Sequence, residues 1–239
     1  MSRTIACVDP QRGPRPGAIA VMQPYFYPYA GYFRLLAAVQ TFVIFDDVQF
    51  VRRGRVHRCE VPGLAGAREW LTLPLARQPR DTLIKNLSFQ VGAREIFDAR
   101  LTRLPWLKAR RGLVAERVRA HLHAPLETVM GFLEAGLRLV ADALQLPAQI
   151  VRSSEFALDP ALRGQERVIA LVKAMNGRIY INAPGGVGLY DRDVFHRHGV
   201  ALEFLAPYDG VFKYMLPALM NEDPALLRED ILRSTYVLD

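Results

Sequence analysis

The chain predicts an α/β protein: a Rossmann-like parallel sheet with helices on both faces and a helical insertion. Three observations carry that prediction. Residues 19–22 form a short apolar run of strand length, and residues 42–45 form a second one that ends on the paired carboxylates Asp46 and Asp47. Between them lie a loop punctuated by Pro24, Pro28 and Gly31 and an apolar segment of helix length at 33–39. After residue 149 the pattern reads strand, helix, strand, loop, helix, strand, as a doubly wound sheet requires.

The elements follow in order. Residues 1–17 carry charges and prolines but no continuous apolar stretch, so they read as a loose extension rather than a secretory signal, with no strand starting before Ala18. Residues 18–92 form the first half of the α/β core: the two strands above, a strand at 70–75 that Pro74 ends, and an alternating strand at 83–91. From 93 to 148 the period becomes helical, through Ile96, Leu101 and Leu104, then Val114, Val118 and Leu122, then Val129, Leu133, Leu137 and Val140. Two to four helices fit this insertion, with breaks near Pro105 and Pro125. Residues 149–239 return to the core: a strand at 150–152, a helix opened by Gly164 and running to Met175, and a strand at 178–182. A Gly-rich loop at 183–188, a helix at 191–198 and a strand at 201–205 complete it.

Composition narrows the class. A chain of 239 residues, 51% hydrophobic and 23% charged, matches an ordinary globular protein, and no apolar run approaches the length of a membrane span. Cys7 and Cys59 are far apart without metal-type spacing, which excludes a disulfide framework or zinc site and points to a reducing cytoplasm. The net charge of +7 favours an anionic partner, although Lys85, Lys108, Lys173 and Lys213 are the only lysines among 31 basic residues, a bias that a GC-rich genome produces without selection. The basic residues cluster at Arg52, Arg53, Arg55 and Arg58, directly after the acid-tipped strand, and at Arg103, Lys108, Arg110 and Arg111 on a solvated helix face.

Ligands of parallel sheets sit beyond the carboxyl ends of the strands, so candidate site residues are sought there. Gln23, Tyr25, Tyr29 and Tyr32 lie in the first loop, and core packing alone does not ask for so many polar-tipped aromatics. Asp46 and Asp47 point to opposite sides of the strand end, one to an ion pair with an arginine and one to the ligand; Asp47 is the candidate base, able to orient or deprotonate an amine. Gln49, Arg53 and Arg58 follow it as candidate anion contacts. Gln165, Glu166 and Arg167 start a helix, and Asn182, Gly185, Gly186 and Tyr190 belong to a loop whose glycines permit close backbone approach to a ligand. That loop is not GxGxxG, so no dinucleotide cofactor is implied. The pairs His121/His123 and His196/His198 face different directions on helices, so no metal site is assigned, and no Ser-His-Asp or Cys-His constellation supports a covalent intermediate.

Five segments carry a resemblance. MQPYFYPYAGYF (22–33), FVIFDDVQFVRRG (42–54), WLTLPL (70–75), RGQER (163–167) and YINAPGGVGLY (180–190) resemble, in the same order, the WbqC-like family of small bacterial proteins associated with O-antigen and natural-product clusters. This chain departs from the family around Arg58, with Arg55, His57 and Cys59 where relatives usually have a tryptophan and asparagines. Tyr29-Ala-Gly-Tyr32 also falls where adenylyl-transferring HUP-type enzymes carry a His-x-Gly-His loop, with tyrosines replacing both histidines. The first resemblance implies a transferase that attaches glycine, or a similar small acyl unit, to an amine of a nucleotide-linked amino sugar or biosynthetic intermediate. The anion-friendly site and the absence of a nucleophile leave direct attack by the amine. A second reading is a non-catalytic nucleotide- or tRNA-binding module, or a transferase that takes its donor from aminoacyl-tRNA. The expected partner is thus a small anionic substrate or tRNA, not a membrane.

Overall fold

A computed structural model describes residues 6–7, 14–63, 67–108 and 112–238. Nine strands and eight helices lie among them. Strands β1 (Ala6–Cys7), β2 (Arg15–Met22) and β3 (Val39–Ile44) flank helix α1 (Ala30–Ala38), and β4 (Arg58–Pro62) and β5 (Arg68–Thr72) form a hairpin. Helices α2 (Ala93–Thr102), α3 (Leu113–Leu122) and α4 (Val129–Ala143) lead to β6 (Gln149–Arg152). Then come α5 (Gly164–Ala174), β7 (Ile179–Asn182), α6 (Arg192–Arg197), β8 (Ala201–Leu205), α7 (Met215–Asn221), α8 (Pro224–Arg233) and β9 (Tyr236–Leu238).

The main sheet has the order β1-β9-β8-β7-β2-β3-β6. Strands β8, β7, β2, β3 and β6 are parallel, whereas β9 runs antiparallel to β8, and β1 antiparallel to β9. Counted alone in chain order, the parallel strands run 3-2-1-4-5, so the order reverses between β2 and β7.

Period-two alternation divides two cores across this sheet. Ala18 and Ala20 of β2 and Phe42 and Ile44 of β3 face the core that holds α1, α4, α7 and α8, while Ile19, Val21 and Val43 face the one under α5 and α6. Small side chains on the first face let α1 approach closely, and every residue of α1 is buried. Helix α4, expected within an insertion, packs in the α1-side core and makes the crossover between the parallel neighbours β3 and β6.

One side chain in α1 is exceptional. Arg34 is fully buried, and among the described residues it makes no ion pair. Its donors reach the carbonyls of Ser234 at 2.7 Å, Ala206 at 2.8 Å and Gly31 at 3.3 Å, and its guanidinium lies over the Tyr208 ring. Ser234 closes the C-terminus of α8, where the helix dipole favours a cation. Arg34 thus fastens the last helix and strand to the first helix.

Several expectations need correction. Ala6–Cys7 pairs with β9, and β2 starts at Arg15 rather than at residue 18, so the segment read as a loose extension contributes to the sheet. The reason is a register shift between Arg15 and Ile19, with Gly17 at φ +71° donating its amide to Gln40 and Arg15 paired with Glu203 of β8. The strand expected at 83–91 is a 3-10 turn, Ile84–Asn86, with single bridges Gln49↔Leu83 and Leu75↔Phe89. Its amides turn onto the acid-tipped strand end instead: Lys85 N–H donates to Asp46 C=O and Ile84 N–H to Val48 C=O. Arg110 and Arg111 lie outside the described residues.

Candidate functional site

Beyond the C-terminal ends of β2, β3 and β6 opens a cleft of about 850 Å³. Gln23 follows β2, Phe45, Asp47 and Gln49 follow β3, and the chain from Ser154 to Arg167 supplies the facing wall, with Asp81 and Lys85 beside it. Phe45, Phe156 and Leu158 make part of the lining apolar.

The two aspartates lie just past the end of β3, where the chain has left the strand, and they take different partners although both reach Ser153 Oγ. Asp46 is fully buried and accepts from Ser154 N at 3.0 Å and Ser154 Oγ at 2.7 Å; its Oδ1 also lies 3.0 Å from Ser153 Oγ, whose single proton goes to the shorter contact with Asp47. It thereby caps the 3-10 turn Ser153–Glu155 that follows β6 and ties the ends of β3 and β6 together. Asp47 borders the cleft but is already engaged, by Arg167 of α5 through an ion pair and by Ser153 Oγ at 2.6 Å. The arginine partner expected for one aspartate therefore belongs to Asp47, the very residue expected to face the ligand unpaired. Each of its oxygens receives one protein donor, which leaves one acceptor direction on each. The sequence reading missed Ser153 and Ser154, although paired serines directly after a strand and before Glu155 are a turn-capping signature.

Of the expected residues, Gln23, Asp47, Gln49 and Arg167 meet in this cleft. The others do not line it. Tyr32 is buried, donates its hydroxyl to Gln23 C=O at 2.8 Å, and is held neutral as burial raises its pKa well above the phenol value. It orients the backbone of Gln23 rather than offering a donor to ligand. Tyr25 packs on Tyr32, and its pKa is also raised by burial. Tyr29 leans on Tyr208, so neither tyrosine of the Tyr-x-Gly-Tyr segment reaches the cleft. The loop is fixed from below: Tyr27, in the left-handed region at φ 38°, pairs its hydroxyl with Nδ1 of the buried His121 at 2.9 Å. Nε2 of that ring lies 2.9 Å from Phe132 C=O, so Nε2 carries the proton and Nδ1 accepts from Tyr27.

The arginine cluster is largely occupied by its own loop. Arg58 donates to Gly54 C=O at 3.1 Å and to Arg53 C=O, and lies 4.2 Å over the Trp70 ring, with Arg55 on the same ring and paired to Glu60. Arg53 is exposed. His57 is packed edge-on to Phe50 with Nδ1 unpartnered; desolvation, then Arg58 and Arg100, push its pKa down to about 4.

Asn182 ends β7, and Gly185, Gly186 and Tyr190 follow it, all outside the cleft lining. Asn182 Oδ1 accepts from Ala183 N at 2.8 Å, and its amide occupies the space a Cβ on Gly186 would need. Tyr190 packs edge-on to Tyr180 and Phe195. Gln165 receives Asp191 N–H at 3.2 Å, joining the start of α5 to this loop, and Glu166 is exposed. The arrangement is a folded turn with its own internal contacts. Among the described residues, no group of three or more His, Cys, Asp or Glu residues is placed to hold a metal ion, and no helix is long and apolar enough to cross a membrane.

The family model described as the WbqC-like protein family matches residues 23–215. The chain belongs to the WbqC-like family. The match takes in every residue that lines the cleft, whereas β1, β2, all of α7 but Met215, α8 and β9 lie outside it. A curated protein of Mycobacterium tuberculosis (strain ATCC 25618 / H37Rv), uncharacterized protein Rv1507c, is 33% identical over 72 residues, which is 28% of this chain and 31% of that protein. The similarity therefore spans about a third of the curated relative's length. No solved structure matches the chain. Within the WbqC-like family this chain pairs the Asp47 carboxylate with the Arg of its RGQER segment, so two separated motifs meet in one ion pair.

Proposed function

We propose that this WbqC-like protein is a cytoplasmic transferase that joins a glycine-like amino acid, or a small acyl unit, to the amine of a nucleotide-linked amino sugar or related biosynthetic intermediate. The observation that supports it best is the cleft itself: an acidic group held in place among cations, at the strand ends where doubly wound sheets bind ligands. The 3-2-1-4-5 order of the parallel strands favours a Rossmann-like assignment. A HUP-type adenylyl transferase is less favoured, because Tyr29 and Tyr32 turn away from the cleft.

In this reaction the amine nitrogen attacks the activated carbonyl carbon and forms the C–N bond. The bond from that carbon to the leaving group breaks, and the leaving group departs with its electron pair. The amine proton passes to a free acceptor direction on Asp47, which Ser153 and Arg167 hold in place. Gln23 and Gln49 border the cleft as neutral hydrogen-bonding groups. A tRNA-binding role draws support from the net charge of +7, but Arg52 is bound to the Gln78 carbonyl and Arg55 and Arg58 to their own loop and hairpin, which leaves Arg53 as the cation of the cluster without a partner among the described residues.

The test is incubation of the purified protein with a nucleotide-linked amino sugar and an activated glycine donor, either an acyl phosphate or glycyl-tRNA, with mass spectrometry of the sugar. An N-glycylated product that forms with wild type and falls by at least about a hundredfold with Asp47→Asn supports the reading, since general-base catalysis contributes about 10²–10⁴-fold. A salt-resistant gel shift with tRNA and no acyl transfer from any donor would favour the binding module instead.

A further inference from the structure

Arg34 and Arg167 are both arginines with little exposure, yet their surroundings differ. Arg34 donates to three carbonyls. Arg167, with its side chain 11% exposed, has one strong contact, to Asp47, and a marginal one of 3.4 Å to Asp159 C=O. Its Nε is buried and has no acceptor. A guanidinium offers five donors, and leaving them unpaired out of water is costly, so this side chain is under-satisfied in a cleft open to a ligand.

Two further features border the same cleft. Helix α5 starts without a side-chain cap: its N-cap is Arg163, and Gly164 sits at φ +52° with open space where a Cβ would stand. The Lys85 ammonium is exposed and has no hydrogen-bond or ion-pair partner among the described residues. With Asp47 neutralised by Arg167, Lys85 and Arg163 face Asp81 as the only other charge of opposite sign on the lining, so the cleft is net cationic.

We infer that this cleft seats a phosphate group at the N-terminus of α5, with Arg167 turning from Asp47 to the phosphate and Lys85 adding a second cation. An uncapped helix start presents amides to an anion, and phosphate suits a guanidinium fork that a lone carboxylate satisfies only in part. The ligand class is a phosphate ester or diphosphate such as a nucleoside diphosphate. The inference rests on the cleft being the working site, and it deepens that reading: arrival of the phosphate draws Arg167 off Asp47, so the carboxylate, still held by Ser153, is no longer neutralised by the guanidinium and is a stronger base toward the amine once the phosphorylated substrate is bound.

Calorimetric titration of the full chain with inorganic pyrophosphate tests this. One pyrophosphate should bind per chain. Lys85→Ala, at an exposed position, should weaken binding roughly tenfold to a hundredfold, as loss of one charge-assisted contact does. Asp47→Asn removes the competitor for Arg167 and should tighten binding several-fold. Absence of pyrophosphate binding, or a Lys85→Ala protein that binds like wild type, overturns the inference whether or not Asp47→Asn folds. Acyl transfer to an amine without any pyrophosphate binding would retain the proposed reaction and reject the phosphate seat. Pyrophosphate binding with both expected mutant effects, but no transfer from any donor, would retain the seat and reject the reaction.

Discussion

Arg34 offers a severe test of how the fold is held. Replacing it by Met keeps much of the volume and the aliphatic stem but removes every donor. The carbonyls of Ser234 and Ala206, which now receive donors at 2.7 and 2.8 Å, lose them in a fully buried place. Leaving a buried acceptor without a partner costs about 1–3 kcal/mol, so two such losses come to about 2–6 kcal/mol. Against this stands relief from desolvating a guanidinium, whose pKa burial depresses, and buried charges replaced by apolar groups are often neutral or better. The charge here is offset by carbonyl dipoles and the end of α8, with Asp209 acting only through its field and not as an ion-pair partner, so the carbonyl loss should win, with a net cost of about 2–4 kcal/mol. Urea unfolding at unchanged m-value should show this as a lower midpoint, and a thermal midpoint about 5–15 °C lower should accompany it. Hydrogen exchange should quicken first in β9, which hangs on the Ala206 and Ser234 ends. If Arg34→Met is as stable as wild type, the apolar packing of Leu205, Ile231 and Val237 holds the C-terminal segment alone and the role assigned to Arg34 is wrong.

Three more outcomes follow from other parts of the molecule. His57 is held deprotonated in the fold with a pKa of about 4, below its ordinary 6.5, so the unfolded chain binds the extra proton between those values; its contribution is complete above pH 6.5 and is lost as pH falls toward 4, reduced by solvent screening of the partly exposed ring, and His57→Asn should flatten the stability profile in that window. Burial also lowers the pKa of His121, and its protonation would break the acceptor role toward Tyr27, so Tyr27→Phe should be destabilising by about 1 kcal/mol at pH 7 in chemical unfolding, and an unchanged midpoint would remove the hydrogen bond from the account. Gly31→Ala should cost about 1–3 kcal/mol, because its Cβ would stand 2.2 Å from the Tyr29 ring and 2.9 Å from Tyr208 Cβ; a thermal midpoint equal to wild type would show that both rings yield freely.

The sheet was legible in the sequence wherever one local signal sufficed. Strands β3, β6, β7 and β8 and helices α1 to α6 follow from apolar period and from proline and glycine punctuation, and the structure places each within a few residues of the expected position. Failure came where a partner distant in sequence decides. Residues 83–91 alternate as a strand does, but the carbonyls of Asp46 and Val48 capture their amides and wind them into a turn. Residues beyond 205 carry no strong period, yet Arg34 binds their carbonyls across a separation of 172 to 200 positions.

The same distinction explains the site. A strand ending in two acids draws attention to that end of the sheet, and a cleft opens there; which acid borders it depends on Ser153, Ser154 and Arg167, none of which the strand itself reveals. Tyrosines crowded in a loop look like ligand contacts because a phenol has both a stacking face and a donor. Here Tyr27 and Tyr32 give their hydroxyls to His121 and to the Gln23 carbonyl, so the loop is stiff and Gln23 is its cleft-lining residue. Arginines next to an acidic strand end look like a phosphate trap for a similar reason, but carbonyls and an indole face satisfy a guanidinium as well as a ligand does, and Arg58 finds both within its own hairpin. Charge density in a sequence is therefore a weak guide to an anion site. On the cleft lining, the cationic donors without a partner among the described residues are Arg167 Nε and the Lys85 ammonium, whereas Arg53, the open cation of the conspicuous run at 52–58, lies off that lining.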